Sequence, residues 1–268
     1  FETNKLVEEF MVLANGAVAG FMSEKNPEVK DSFIYRVHDL PDADKIKELE
    51  RVMRALGYKV SIEHKRLSSK DISHLLKQVK GAPHEEMIHM LTIRSLAKAV
   101  YTTKNIGHFG LSLKHYTHFT SPIRRYPDLV VHRLLMQTLT KEKINSRELQ
   151  QYEAISRYAT QAEISAQETE RASVKYKQSE YMARRVNETF YGTITGLSER
   201  GIFVSETETL SEGMVSLRDI KDDYYMFDEK KVALIGRKTR KKYSLGDRVK
   251  IKVKKVNVDA RLIDYVFI

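Results

Sequence analysis

No cysteine occurs among the 268 residues. That excludes a disulfide framework, a disulfide-linked partner and a thiolate metal site, and it fits a cytoplasmic protein. There is no run of about 18 apolar residues, so the sequence predicts no transmembrane helix and no membrane partner. The opening Phe1-Glu2-Thr3-Asn4-Lys5 has no basic segment leading into an apolar one and does not read as a signal peptide. It also lacks an initiator methionine, from which we expect a chain cut from a longer one. Acidic residues are in deficit: 36 Asp and Glu against 46 Lys and Arg leave a net charge of +10. Such a balance favours acidic partners, nucleic acid being the commonest, although many basic proteins bind nothing in particular.

What is present is enough for one large domain or two ordinary ones, with 41% hydrophobic residues to build a core. Residues 4–22 place Leu6, Phe10, Leu13, Ala17 and Phe21 at helical spacing, with Thr3 or Asn4 as cap, and predict a core-facing helix. Phe33 to Asp39 reads as a short strand stopped by Pro41. Asp42 to Gly57 predicts a helix whose apolar face is Ile46, Leu49, Val52, Met53 and Leu56. Asp39, Asp42 and Asp44 are better explained by capping and the helix dipole than by a metal. Residues 58–84 are polar, with one helical segment at 72–76. Residues 85–102 predict a helix with Met87, Met90, Leu91, Ile93, Leu96 and Ala97 inside. After a turn at 141–145, Ser146 caps a long helix to about Val186. Its early buried face would be Tyr152, Ile155, Ala159, Ala162 and Ala166. From about residue 188 short β runs alternate with turns, as in a small five-stranded barrel. Val249 to Lys254 alternates strictly, as a half-buried strand does.

Two stretches carry chemistry. In His118 to Leu129, Pro122 and Pro127 stiffen a loop that presents Arg124 and Arg125, and Asp128 reads as the N-cap of the next helix. This is either a proline-rich turn with solvated arginines or a loop that holds a phosphate. From Lys230 to Lys255 there are twelve basic residues and one acid, Asp247. That run is either a phosphate-attracting surface or a solvated, aggregation-resistant edge.

The continuous run from His108 through Tyr116, His118 and Ser121-Pro122-Ile123-Arg124-Arg125-Tyr126-Pro127-Asp128 to Leu129 closely resembles the signature of the ribonuclease II superfamily, the RNB catalytic domain. Its Arg-Arg-Tyr-Pro-Asp form is most similar to the ribonuclease R branch. The phrases Asn4 to Asn15 and Arg36-Val37-His38-Asp39 fit the same resemblance. Gly192 to Val204, Gly246 to Val253 and Asp223-Tyr224-Tyr225-x-Phe227 resemble an S1 RNA-binding domain.

The resemblance implies an α+β fold. Residues 1–187 would be the mostly helical C-terminal portion of an RNB domain, and 188–268 an S1-type OB-fold barrel. It implies a hydrolase that degrades RNA processively from a single-stranded 3′ end to 5′-nucleoside monophosphates, using Mg²⁺ held by aspartates. Arg124 matches the family's active-site arginine, with Tyr116, Ser121, Arg125 and Tyr126 as RNA contacts around it. Glu170 matches a glutamate near the RNA 3′ end, or is one more charge on a solvated helix. In the barrel the implied RNA contacts are Arg200, Phe203, Tyr224, Lys250, Lys252 and Lys254. Arg200 and Ile202 stand where aromatics are common, and Ser216 where a histidine often lies. Recognition there would lean on charge more than stacking. The pair His115 and His118 belongs to the signature, with a loop-shaping or RNA-facing role rather than zinc. The family's metal-binding aspartates lie upstream of the residue 4–22 helix, so we expect no metal ligands in this chain and no activity from it alone. The rival readings are a non-catalytic RNA clamp and a protein-interaction module that leaves the basic run unexplained.

Overall fold

The computed structural model describes residues 1–24, 26, 29, 32–58, 68–82, 85–142, 146–228 and 233–268. In chain order, helix α1 (Glu2–Glu24) and strand β1 (Tyr35–Val37) come first. Helices α2 (Ala43–Ala55), α3 (Ser69–Val79) and α4 (Glu85–Ser95) follow, then strand β2 (Val100–Thr102) and helices α5 (Tyr126–Leu139) and α6 (Ser146–Ala183). The remaining strands are β3 (Thr189–Leu197), β4 (Gly201–Glu206), β5 (Glu212–Ser216), β6 (Tyr225–Asp228), β7 (Ala233–Gly236), β8 (Lys242–Ser244), β9 (Arg248–Asn257) and β10 (Leu262–Phe267), with a 3-10 turn at Leu217–Asp219 after β5. These form two compact units, Phe1–Asp42 with Leu96–Gln167, and Ala43–Ser95 with Glu168–Ile268. Helix α6 begins in the first and ends in the second.

The first unit packs α1, the β1–β2 pair, α5 and the start of α6 around Phe33, Ile34, Tyr35, Val131 and Leu134. Two expectations change here. The face Leu6, Phe10, Leu13 is exposed, at 57%, 61% and 66%, and Ala17 is exposed too. Helix α1 is buried only through Asn15, Ala19, Met22 and Ser23, with Phe21 at the core margin. Helical periodicity identifies an apolar stripe but not what covers it, and no described residue of this unit covers its first three turns. By length and composition alone α1 is also long and apolar enough to cross a membrane, with a mean hydropathy of 1.3. Its last turns, however, pack into the core of this unit. The second change is at residues 85–102. The helix stops at Ser95, and Val100-Tyr101-Thr102 is a strand paired with Tyr35 to Val37. The β-branched and aromatic side chains of that tripeptide suit a pleated surface better than a helix. Ile93 is exposed, Ile88, Thr92 and Ser95 are buried instead, and the Met87 side chain lies outside the described residues.

Helix α6 keeps Tyr152 buried and Ile155 and Ala159 half-buried, but Ala162 and Ala166 are exposed. The buried line runs instead through Tyr152 and Ser156, with Glu163 and Ile164 half-buried beyond them. The helix begins at Ser146, whose side chain lies outside the described residues, as do residues 143–145 of the expected turn.

In the second unit, α2 buries Ile46, Leu49, Val52 and Met53, and the chain turns at Gly57 with φ +86°. That positive φ is available to glycine without strain. Helix α3 is longer than the expected 72–76 segment because Ser68 and Asp71 form a reciprocal capping box. Leu49, Met53, Leu75, Val79 and Ile88 share one small core, to which Leu245 also belongs. Residues 43–95 therefore group with the barrel and not with the residues that flank them in sequence.

The barrel closes in the order β10-β5-β4-β3-β9, with β10 parallel to β5 and the other pairs antiparallel. Ile194, Ile202, Val204, Val215, Ile251, Val253 and Tyr265 fill it. The Val249–Lys254 alternation appears as expected, with Ile251 and Val253 buried and Lys250 and Lys254 exposed. Ile202, which stands where aromatics are common in the family it resembles, is a barrel-core residue at 0% exposure. Gly213 lets the buried Tyr265 ring pack directly against the β5 backbone: a Cβ there would sit 2.5 Å from the ring. Between β5 and β9 the chain leaves the barrel to make a separate sheet, β6-β7-β8.

Candidate RNA-contacting loop and barrel face

The loop before α5 is pinned from two sides. Asn15, buried on α1, accepts from the backbone N–H groups of Phe119 (2.9 Å) and Thr120 (3.2 Å) and donates to the Tyr116 hydroxyl at 3.1 Å. From α5, His132 contacts the Phe119 carbonyl at 2.8 Å and stacks on the Phe119 ring at 4.1 Å. Asp128 is not the N-cap. Arg125 holds that position, and Tyr126 and Pro127 open the helix, which puts Asp128 inside the first turn. There it is fully buried, accepting from Ser121 N–H at 2.8 Å and from Arg125 at 2.9 and 3.2 Å.

The two adjacent arginines thus differ. Arg125 is spent on Asp128. Arg124 is exposed, and its guanidinium makes no hydrogen bond or ion pair among the described residues. Both line a groove of about 780 Å³, together with Tyr101, Tyr126, Tyr158 and Glu163. Glu163 is neutralised by Arg36, which donates to both its oxygens at 2.6 and 2.9 Å and lies 4.5 Å over the Tyr101 ring. Of these three arginines only Arg124 has no carboxylate partner among the described residues. Tyr126 is 51% exposed beside it, and Ser121 is half-buried. Tyr116, an expected RNA contact, is buried at 6% with its hydroxyl on Asn15, so its ring has no face to offer a base.

Under the loop lies a file of rings: His38 against His108 (5.1 Å), His108 against Tyr116 (5.2 Å), Tyr116 against His118 (5.8 Å) and His118 against Tyr101 (5.5 Å). Burial, with repulsion from His38 and Arg36, takes His108 down to about 4. Burial, with Arg125 and Arg36 nearby, takes His118 down to about 3. Both imidazoles are neutral at pH 7. His118 shares a 2.7 Å hydrogen bond with the Tyr101 hydroxyl, which burial pushes up to about 12. His115 instead contacts Asn105 (2.7 Å) and Glu24 (3.6 Å). These contacts give both histidines of the signature loop-shaping work. Among the described residues no three His, Asp or Glu side chains converge on a point that could hold a metal.

In the second unit, Glu170 is exposed on α6. Arg200 is exposed at the β3–β4 turn, and Phe203 is 37% exposed on β4. Lys250 and Lys252 point outward from β9. Lys254 does not stand free: Asp219 accepts from it with both oxygens, at 2.7 and 2.8 Å. Tyr224 is 69% exposed, whereas Tyr225 is buried. Lys230 and Lys231 of the basic run lie outside the described residues. The sequence reading missed Tyr191, which is 68% exposed and directly cross-strand from Lys250. Its signal was the alternation of β3, which turns Tyr191 outward while Ile194 goes in.

Residues 1–141 match the RNB domain, and residues 184–265 match the S1 RNA binding domain. The chain is 38% identical over 263 residues to ribonuclease R of Aquifex aeolicus, covering 98% of this chain and 37% of that protein. It is 34% identical over 274 residues to ribonuclease R of Escherichia coli, covering 98% and 33%. Two solved structures of Mycoplasma genitalium RNase R superpose with a TM-score of 0.89 at 32% identity, covering 99% of this chain and 42% of theirs. One is an apo form and the other a complex with ribose methylated single-stranded RNA. The chain spans about a third of the length of these curated relatives. With a pinned Arg124 loop in the matching stretch and a closed five-stranded barrel after it, the chain belongs to the RNB-domain family and carries an S1 RNA-binding domain behind its RNB region.

Proposed function

We propose that this chain is the RNA-gripping part of a ribonuclease R-type 3′-to-5′ exoribonuclease of the cytoplasm, which hydrolyses single-stranded RNA to 5′-nucleoside monophosphates. The observation that carries the reading is Arg124: an unpaired guanidinium on a loop fixed at Phe119, Thr120, Ser121 and Arg125, facing a groove. A positive charge held in place before the substrate arrives stabilises a phosphate without reorganising, and stabilises more the extra charge that forms during phosphodiester hydrolysis. Tyr126 and Tyr158 offer exposed rings on the same groove. The barrel adds a tracking surface of Tyr191, Phe203, Lys250 and Lys252. Mg²⁺, which the resemblance implies, does not fit the described residues, since no group of three or more carboxylates or imidazoles among them could hold a metal ion. In this reading its carboxylates lie outside them.

The test is binding of one RNA sequence in linear and circular form. A grip on a 3′ end favours the linear RNA, and Arg124→Ala removes that advantage, by about tenfold for one charged phosphate contact. Equal affinity of the wild-type chain for circle and line would contradict the reading.

A further inference from the structure

The β6-β7-β8 sheet is an excursion from the barrel, and its β7–β8 turn is the most cationic stretch of the described chain. Residues 237–242 read Arg-Lys-Thr-Arg-Lys-Lys. All six are exposed. Lys241 is held by Asp222 at 3.2 Å and lies over the Tyr243 ring. Arg237, Lys238, Arg240 and Lys242 have no carboxylate partner among the described residues.

The turn is also anchored. Asp223 accepts from the N–H groups of Lys238 (2.8 Å), Thr239 (2.6 Å) and Tyr224 (2.7 Å), and from the Thr239 hydroxyl at 2.7 Å. Burial works to raise the Asp223 pKa, but the hydrogen bonds from Thr239, Tyr224 and Lys238 outweigh it and take it down to about 2. Gly236 leaves the carboxylate its place, since a Cβ there would lie 2.6 Å from it. Arg240 closes the turn in the left-handed region at φ +57°. The Tyr224 carbonyl accepts from Arg237 N–H at 2.9 Å, so an exposed aromatic is tied to the base of the turn.

Free turns with several like charges repel and splay. Here an internal carboxylate fixes the backbone that carries four cations with no carboxylate partner among the described residues. We propose that the β7–β8 turn is a second anchoring point for an RNA sugar-phosphate backbone, on a different sheet from the β9 lysines. The inference rests on the RNA-binding reading above and extends it to a surface where phosphates are gripped without a base-reading face.

The experiment is equilibrium binding of a fluorescent single-stranded oligouridylate by the full chain, without divalent metal, across a salt series. One variant carries Gln at Arg237, Lys238, Arg240 and Lys242. A control carries Gln at four other exposed lysines, Lys5, Lys70, Lys77 and Lys98. If the turn holds phosphates, the slope of log K against log salt falls by about 2 to 3 in the first variant and stays unchanged in the control. Equal slope losses in both would overturn the proposal in favour of a diffuse field, and no loss in either would overturn it outright. A wild-type chain that binds no RNA would overturn the underlying reading as well, which separates the two failures. Asp223→Ala, which makes the chain more positive, is expected to weaken binding by loosening the turn. Tighter binding would contradict the anchored arrangement.

Discussion

At the scale of the residue, Arg125 and Asp128 depend on each other because the carboxylate is wholly enclosed. Removing Arg125 leaves a buried charge without its counter-ion, which typically costs about 3 kcal/mol or more. Arg124 is exposed and unpaired, and its removal stays within about 0.5 kcal/mol. Urea denaturation of Arg125→Ala and Arg124→Ala should therefore separate a stability mutant from a binding mutant, and equal midpoints would contradict the division of labour. The two arginines were visible in the sequence as a pair, but not their different fates. Those follow from the helix starting at Tyr126, which turns Asp128 back toward Ser121. Tyr116 shows the same limit, since an aromatic inside a signature stretch can serve the core. Asn15 left a trace, as a lone amide beside the Ala19 and Met22 stripe. What it holds lies about a hundred residues away in the chain and becomes visible only with the fold.

At the scale of the element, the ring file beneath the loop couples the first unit to pH. His108 and His118 have folded pKa values of about 4 and 3, below the unfolded value of about 6.5. Between those limits the unfolded chain binds more protons, so stability is full above about pH 6.5 and declines as pH falls toward 4. Thermal midpoints measured from pH 7 to pH 5 should fall, and His118→Gln should flatten the decline. An unchanged slope in that variant would remove His118 from the account. In the barrel, Gly213→Ala drives a methyl into the Tyr265 ring and the Ile263 carbonyl, and a loss of about 1–3 kcal/mol is expected by chemical denaturation. Strand periodicity made the barrel legible in the sequence, because inward and outward positions alternate from Val249 to Lys254. The helical stripes of α1 and α6 were less informative. Leu6, Phe10, Ala162 and Ala166 repeat at the right spacing yet are exposed, because a repeat marks a face and not its cover.

At the scale of the whole molecule, the net charge of +10 is unevenly spent. Arg36, Arg125 and Lys254 are tied to carboxylates, while Arg124, Lys250, Lys252 and the β7–β8 turn are left for a polyanion. Composition points to the sign of the proposed partner, and the pairing of individual side chains points to the places where the proposed contacts would form. The grouping of residues 43–95 with the barrel was not legible at all, since local patterns say nothing about which distant core a helix joins. The measurement that bears most directly on the account is incubation of this chain with a 5′-labelled single-stranded RNA, with Mg²⁺ and in a metal-free control, read both as bound fraction and on a sequencing gel. The account predicts retained, salt-sensitive binding with no shortening, because in this reading the described residues grip RNA, and no group of three or more His, Asp or Glu among them could hold a metal ion. Stepwise shortening to a small core, abolished by Arg124→Ala, would contradict it and place the metal on carboxylates of this chain.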